Sequence, residues 1–397
     1  MQQSRGTLAI LAGVLLALAC SGPAHLGTDG GGGGGGGQGG GGGAGGQGGS
    51  GGTDGGHGGS GGGTDGGVVD GARDSSSGPD VVIADGAIDG GVACSDFAAD
   101  KCAKFDACTQ GIYNEVHYGS LAECVSRETT ACLGILAAPD NTATPAGFRQ
   151  CGSDITGGTC ADFFDVTNTT PACTPQMGSR ANGRACVNDG QCTSTWCYAR
   201  TGAVCGVCAT RPPAGAPCVA SVDCGGRGTL CSAAGTCAAV VSEGDSCNTE
   251  QPCGFGLSCV GSTATTSGTC QTAGAAVGTM CDGTRATAPL CELDFGLYCP
   301  PATDECAKAT LAMAGQMCGV IPSTSDGGAP PPLAICVGGA ACEPGTGTTS
   351  ACLAPAADGD TCDTTTGPPC LDPARCVSTV DASPSGTCAI LETTTCD

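Results

Sequence analysis

The sequence predicts small disulfide-rich repeats with little regular secondary structure, preceded by a small all-α domain stapled by cystines and a disordered Gly-rich tether. Three observations predict this class. Cysteine supplies 35 of the 397 residues while aromatics make up only 3%, so sulfur outweighs the side chains that usually fill a core. The cysteines of the C-terminal half recur in groups of four. Ahead of them lies a long stretch that is mostly glycine.

The first element is residues 1–19. MQQSRGTLAILAGVLLALAC carries Arg5, a twelve-residue apolar run from Leu8 to Ala19, and then Cys20. A run that short falls below the roughly 20 residues needed to span a bilayer, and it reads as the h-region of a signal peptide. Leu16-Ala17-Leu18-Ala19-Cys20 resembles a bacterial lipobox, with Ala17 where Leu is usual. The resemblance implies cleavage before Cys20 and acylation of that cysteine, and two or more acyl chains give stable anchoring. Ser21 follows, with no Asp to resemble an inner-membrane retention signal. The expectation is an outer-membrane lipoprotein, surface-exposed, of a Gram-negative bacterium. Setting Cys20 aside leaves 34 cysteines, an even number able to pair completely in an oxidising compartment.

A formal charge of −23 repels nucleic acid. It attracts calcium or a basic partner, and it also keeps a surface protein soluble. No nucleic-acid partner, metal or cofactor is expected.

The second element, 20–93, holds the lipidated cysteine and the linker. Gly27 to Gly91 contains 34 of the 74 glycines. Nothing apolar recurs there to offset the ordering entropy of a packed domain. TDG at 28–30, 53–55 and 64–66 lacks the apolar position of calcium-binding nonapeptide repeats. Residues 21–93 therefore read as a tether with an r.m.s. span of roughly 45–50 Å.

The third element, 94–173, contains seven of the twelve aromatics and Cys94, Cys102, Cys108, Cys124, Cys132, Cys151, Cys160 and Cys173. Ala98, Cys102 and Phe105 share one stripe of a helix. Leu121, Cys124, Val125, Glu128, Cys132 and Leu136 share one stripe of another. Ser120 with Glu123 forms a capping box at its start, and Pro139 follows its end. Thr144-Pro145 suits the cap and first turn of a third helix carrying Phe148 and Cys151, and CADFFDV adds a last turn. Eight cysteines allow 105 pairings, which spacing does not resolve.

The last element, 174–397, contains six units. Their cysteines are Cys186, Cys192, Cys197 and Cys205; Cys218, Cys224, Cys231 and Cys237; Cys247, Cys253, Cys259 and Cys270. The series continues with Cys281, Cys291, Cys299 and Cys306; Cys318, Cys336, Cys342 and Cys352; Cys362, Cys370, Cys376 and Cys388. The units span about 183–208, 215–237, 244–270, 278–306, 315–352 and 359–396. Gly183, Gly215, Gly244, Gly278, Gly315 and Gly359 each stand three residues before a first cysteine. Agreement at six positions marks internal repeats. Units this short cannot build a hydrocarbon core, and two disulfides, each contributing about 2–4 kcal/mol, supply the stability instead. The glycines suit positive-φ turns between bridges. Of the three possible connectivities, crossed first–third and second–fourth pairing is favoured. Cys208 and Cys396 lie outside this frame; they pair with each other, or bridges cross between units.

The form C-x5-C-x5-C…GTC at 247–270 resembles the Dickkopf N-terminal cysteine-rich domain, and the likeness covers about 186–388. It implies a small loop-rich fold. In animals the family's members are secreted ligands of a signalling receptor, a role that nothing in this chain carries over. The longer gaps in 281–306 and 318–352 depart from the family spacing. The whole arrangement looks like that of bacterial cysteine-rich surface lipoproteins.

Candidate chemistry is sparse. His25 and His57 lie in the tether, and His117 reads as a surface-loop residue between two helices. No nucleophile elbow accompanies it. Asp162 and Asp165 are a carboxylate pair that also suits a solvated helix start. Cys205-Gly206-Val207-Cys208 is a CxxC, which an oxidising compartment turns into structural disulfides rather than a zinc or redox site. Trp196 and Tyr198 flank Cys197, either plugging the module or binding a sugar or protein partner. The loop between Cys318 and Cys336 is the longest within a unit and suits either display or a tolerated insertion. The expectation is a non-enzymatic surface lipoprotein that binds a protein or carbohydrate ligand or mediates adhesion. An inhibitor or effector of an extracellular protein ranks second, and an enzyme third.

Overall fold

The structure is a computed structural model. It describes residues 89–397 except 165–170, 200–202, 204, 220, 226–227, 255, 264, 322–331, 345–349, 379–382, 391–395 and 397. Residues 1–19, expected to be a signal peptide, Cys20, nearly all of the stretch expected to be a tether, Asp165 and most of the 318–336 loop lie outside the described residues. Among the described residues, the chain is rich in disulfides, with five α-helices and many short strands in small sheets.

The helices come first: α1 Gly90–Thr109, α2 Ile112–His117, α3 Leu121–Ala137, α4 Pro145–Gly157 and α5 Cys160–Phe164. Asp89 caps α1 through the amide of Gly91, so the folded part begins a few residues ahead of 94. Ser120 and Thr144 cap α3 and α4 by accepting from Glu123 N and Gly147 N, each satisfying a first-turn donor. Gln110 and Gly111 take left-handed φ values of 54° and 86°, turning the chain sharply from α1 into α2. Four bridges staple these helices: Cys94–Cys132, Cys102–Cys124, Cys108–Cys160 and Cys151–Cys173. Around them pack Phe105, Tyr113, Tyr118, Ile155, Phe163 and Phe164, with the Phe105 and Tyr113 rings stacked at 4.1 Å.

The buried stripe of α3 is centred on Cys124, Glu128, Ala131 and Cys132, with Arg127 beside them. Leu121, expected on the stripe, is 42% exposed. Glu128 is buried because it is paired: Lys101 Nζ lies 2.8 Å from one oxygen and Tyr118 Oη donates to the other at 2.7 Å. Burial without those partners would cost several kcal/mol.

Each repeat then folds on two crossed bridges, first to third and second to fourth cysteine. The pairs are Cys218–Cys231 with Cys224–Cys237, Cys247–Cys259 with Cys253–Cys270, and Cys281–Cys299 with Cys291–Cys306. Cys318–Cys342 with Cys336–Cys352 and Cys362–Cys376 with Cys370–Cys388 complete the last two. The first repeat differs. Cys186–Cys197 keeps the frame, but Cys192 pairs with Cys208, and Cys205 reaches Cys396. The fourth member of that unit is therefore Cys208, three residues beyond the expected one, and Cys208 does not pair with Cys396.

Regular structure is more developed than the sequence suggests. Three-stranded antiparallel sheets form from 185–186, 206–208 and 197–198, from 246–247, 268–272 and 257–260, and from 361–363, 385–389 and 375–377. In each, the strand bearing the fourth cysteine is central. The second and fourth repeats carry two-stranded versions and the fifth a five-stranded sheet.

The leading glycines share one role. Their φ values lie between 81° and 89°, a region that favours glycine. In all six, the glycine N–H donates to the carbonyl of the fourth cysteine at 2.7–2.8 Å, and that cysteine's N–H returns a bond to the residue after the glycine. This clamp closes each unit into a loop that the two bridges then fix.

In five units the segment leading in pairs in parallel with that unit's own second cysteine. Arg180, Val241, Gly274, Ala312 and Ala356, just ahead of their units, pair with Cys192, Cys253, Cys291, Cys336 and Cys370. The described residues all belong to one compact unit, in which several repeats dock on the helices. The amides of Gly338 and Gly339 donate to the carbonyls of Glu115 and Val116, both at 2.7 Å. Gln191 Nε2 donates to Pro139 O at 2.7 Å. The chain then closes on itself: Cys205–Cys396 spans 191 residues, and Ala203 pairs with Ser378 beside it.

Candidate functional site

Among the described residues, charged groups gather in partly buried surroundings where α2 and α3 meet the fourth and sixth repeats. The helices contribute two of them. Arg127, with a side chain 9% exposed, spreads its guanidinium over the sixth repeat. It holds both carboxylate oxygens of Asp358, at 3.1 and 2.8 Å, and donates to the carbonyls of Leu371 and Asp372. This is the bidentate fork geometry that arginine supplies and lysine does not. His117, at the C-terminal end of α2, places Nδ1 3.0 Å from Asp372 Oδ2, and its ring stacks on Tyr113 at 4.1 Å.

The fourth repeat adds carboxylates. Its single-turn 3-10 helix, Leu293–Phe295, packs on α2, and Ile112 lies where a Cβ on Gly296 would make contact. Burial, and after it the Asp294 carboxylate, push Glu292 up to about 7; a backbone bond from Asp294 only partly offsets this. Burial also raises Asp294, and the His117 charge opposes that rise. Tyr113 and Tyr118 are held well above the usual phenol range, mainly by burial and then by neighbouring carboxylates. His117 is thus not a surface-loop residue. It ends a short helix, partly buried, and ties that helix to two repeats. An imidazole oriented by a carboxylate has the posture of a general base, but its surroundings here are interface groups: Tyr113, Asp372 and Asp294.

The other candidates have structural posts. Asp162 Oδ2 accepts from the amide and hydroxyl of Thr159 and so caps α5. Trp196 is 4% exposed and abuts Gly225, where an added Cβ would lie 3.3 Å from its ring. Tyr198 is half-buried, 5.3 Å from Trp196 between ring centroids, and donates its hydroxyl to Asp223 at 3.0 Å. The two rings pin the first repeat to the second.

Cysteine triplets such as Cys186, Cys192 and Cys208 bring their sulfurs within 4.8 Å of one another, but as bridge partners they have no thiolate to offer a metal. The CxxC at 205–208 is split between two bridges. A cleft of about 300 Å³ is lined by Asp140, Ser179, Arg180, Ala181 and Arg184. Arg180 in its wall binds Asp140 Oδ2 and the carbonyls of Ala185 and Cys396, which holds the C-terminal segment against the first repeat. No helix among the described residues is long and apolar enough to cross a membrane.

No protein-family model matches the chain, and no curated protein or solved structure matches it.

Proposed function

We propose that the chain is a non-enzymatic lipoprotein of the outer membrane, anchored through acyl chains on Cys20 and displaying one cystine-braced body for adhesion or for binding a protein or carbohydrate. The observation that carries this reading is the complete pairing of Cys94 to Cys396 into 17 disulfides. Such a chain belongs in an oxidising compartment. The lipobox-like Leu16–Cys20 and the Gly-rich stretch supply an anchor and a spacer. The finer likeness, to Dickkopf N-terminal repeats, rests on the C-x5-C-x5-C…GTC spacing at 247–270. The ionisable groups around His117 favour a binding body over an enzyme, since they are engaged in docking repeats on helices.

Fractionation tests this reading. Cells producing the unaltered chain are expected to hold it in the outer-membrane fraction, and protease added to intact cells should degrade it. Cys20→Ser should release it to the soluble fraction. Unaltered protein that is soluble, or that is shielded from external protease, contradicts the proposal. For binding, oxidised protein on beads is compared with reduced and alkylated protein for retention on glycan and matrix-protein arrays; retention that survives reduction contradicts a braced binding surface.

A further inference from the structure

Among the 17 bridges, 16 close within a repeat or within the helical part, and the longest of those spans 52 residues. Cys205–Cys396 spans 191 and joins the first repeat to the last. Its consequence is topological. Residues 205–396 form a covalent circle. The helical bridges overlap from 94 to 173, and those of the first repeat cover 186 to 208. Between 94 and 396, only the stretch 174–185 is spanned by no bridge.

We propose that Cys205–Cys396 is a retention clasp: it keeps the body in one covalent piece after a single backbone cut anywhere between 205 and 396, as the helical and first-repeat bridges do for cuts in 94–173 and 186–208. For cuts in the linkers between later repeats, such as 238–246 or 271–280, this bridge alone does so. The linkers are where a protease would reach. Ala275, Ala276, Val277 and Gly278 are all exposed, and exposed segments of small residues are preferred nicking sites. Hydrolysis adds one water across a peptide C–N bond and breaks no S–S bond, so retention needs no redox partner. The clasp also acts before any cut. In a linear array the end repeats touch one neighbour only and open first. Here the sixth repeat gains a second neighbour through the Ala203–Ser378 pairing and the bond from Arg180 to the Cys396 carbonyl. The inference is independent of the anchor and of any ligand.

The test places the recognition sequence of a site-specific endopeptidase between Ala275 and Ala276 of the full chain. After complete cleavage, the unreduced, denatured protein is expected to run as a single species heavier by one water, and to separate into two on reduction. With Cys205→Ser and Cys396→Ser together, the same cut should give two pieces without reductant. A recognition sequence between Ala181 and Asn182, inside the unspanned stretch, should separate even the clasped protein. A clasped protein that falls apart unreduced after the 275–276 cut, or a double-serine protein that stays joined, overturns the proposal. If the double-serine protein does not fold, disulfide mapping of the unaltered protein decides. A peptide pair linking Cys205 to Cys396 supports the clasp, and either cysteine found with another partner overturns it.

Discussion

The amide of Gly244 donates to the carbonyl of Cys270 at 2.8 Å, and the amide of Cys270 returns a bond to Asp245 at 2.9 Å. The same reciprocal pair recurs in all six repeats. An added Cβ at any of the six glycines would meet nothing within 4 Å, so space does not require glycine. Backbone conformation does, because φ at Gly244 is 83°.

Gly244→Ala is therefore expected to cost about 1–2 kcal/mol through left-handed strain alone, and Gly244→Asn less, since Asn tolerates that region. Denaturant titration of the oxidised protein checks the order Gly, Asn, Ala. Equal stability of all three would show that the clamp does not constrain the unit.

Arg127 is the helices' principal hold on the sixth repeat. Arg127→Ala removes the fork to Asp358 and leaves two carbonyls, of Leu371 and Asp372, without their charged donor. The expected loss is about 2–3 kcal/mol, tempered because Asp358 is 44% exposed and can rehydrate. Hydrogen exchange should speed up in 356–377 and remain unchanged in the third repeat. Arg127→Lys should restore little, since an ammonium cannot make the bidentate pair.

Glu292 makes stability depend on pH. Its folded value near 7 exceeds the ordinary 4.5, so the folded state binds the proton more tightly than the unfolded one. That contribution is full below about pH 4.5 and is lost as pH rises through about 7. Asp294, also raised, adds a slope of the same sign. Stability should fall from pH 5 to pH 7.5 by roughly 2–3 kcal/mol, and Glu292→Gln should flatten most of that fall. An unchanged slope in the variant would place the titrating group elsewhere.

What the sequence made legible was local. The six glycines and the four-cysteine frame could be read because a positive-φ turn and a short bridge are each fixed within one unit. Ser120 and Thr144 announced their helices because a cap needs only the next three residues. The spacing favours Cys205 over Cys208 as the fourth cysteine of the first unit, and the structure reverses this because the choice depends on where Cys396 arrives 191 residues later. The short strands are not legible in the sequence because stretches of two to five residues show no alternation to read. The place of His117 is hidden from the sequence for a similar reason. Its helix has six residues, and its partners, Asp372 and Asp294, belong to distant repeats.

The most direct measurement is reduction under native conditions, with thiols counted before and protease resistance followed after. If crossed cystines do the work of a core, the purified protein titrates no free thiol, and complete reduction makes 186–396 digest as an unfolded chain. Titratable thiols at the outset, or a reduced body that stays compact and resistant, would contradict that claim.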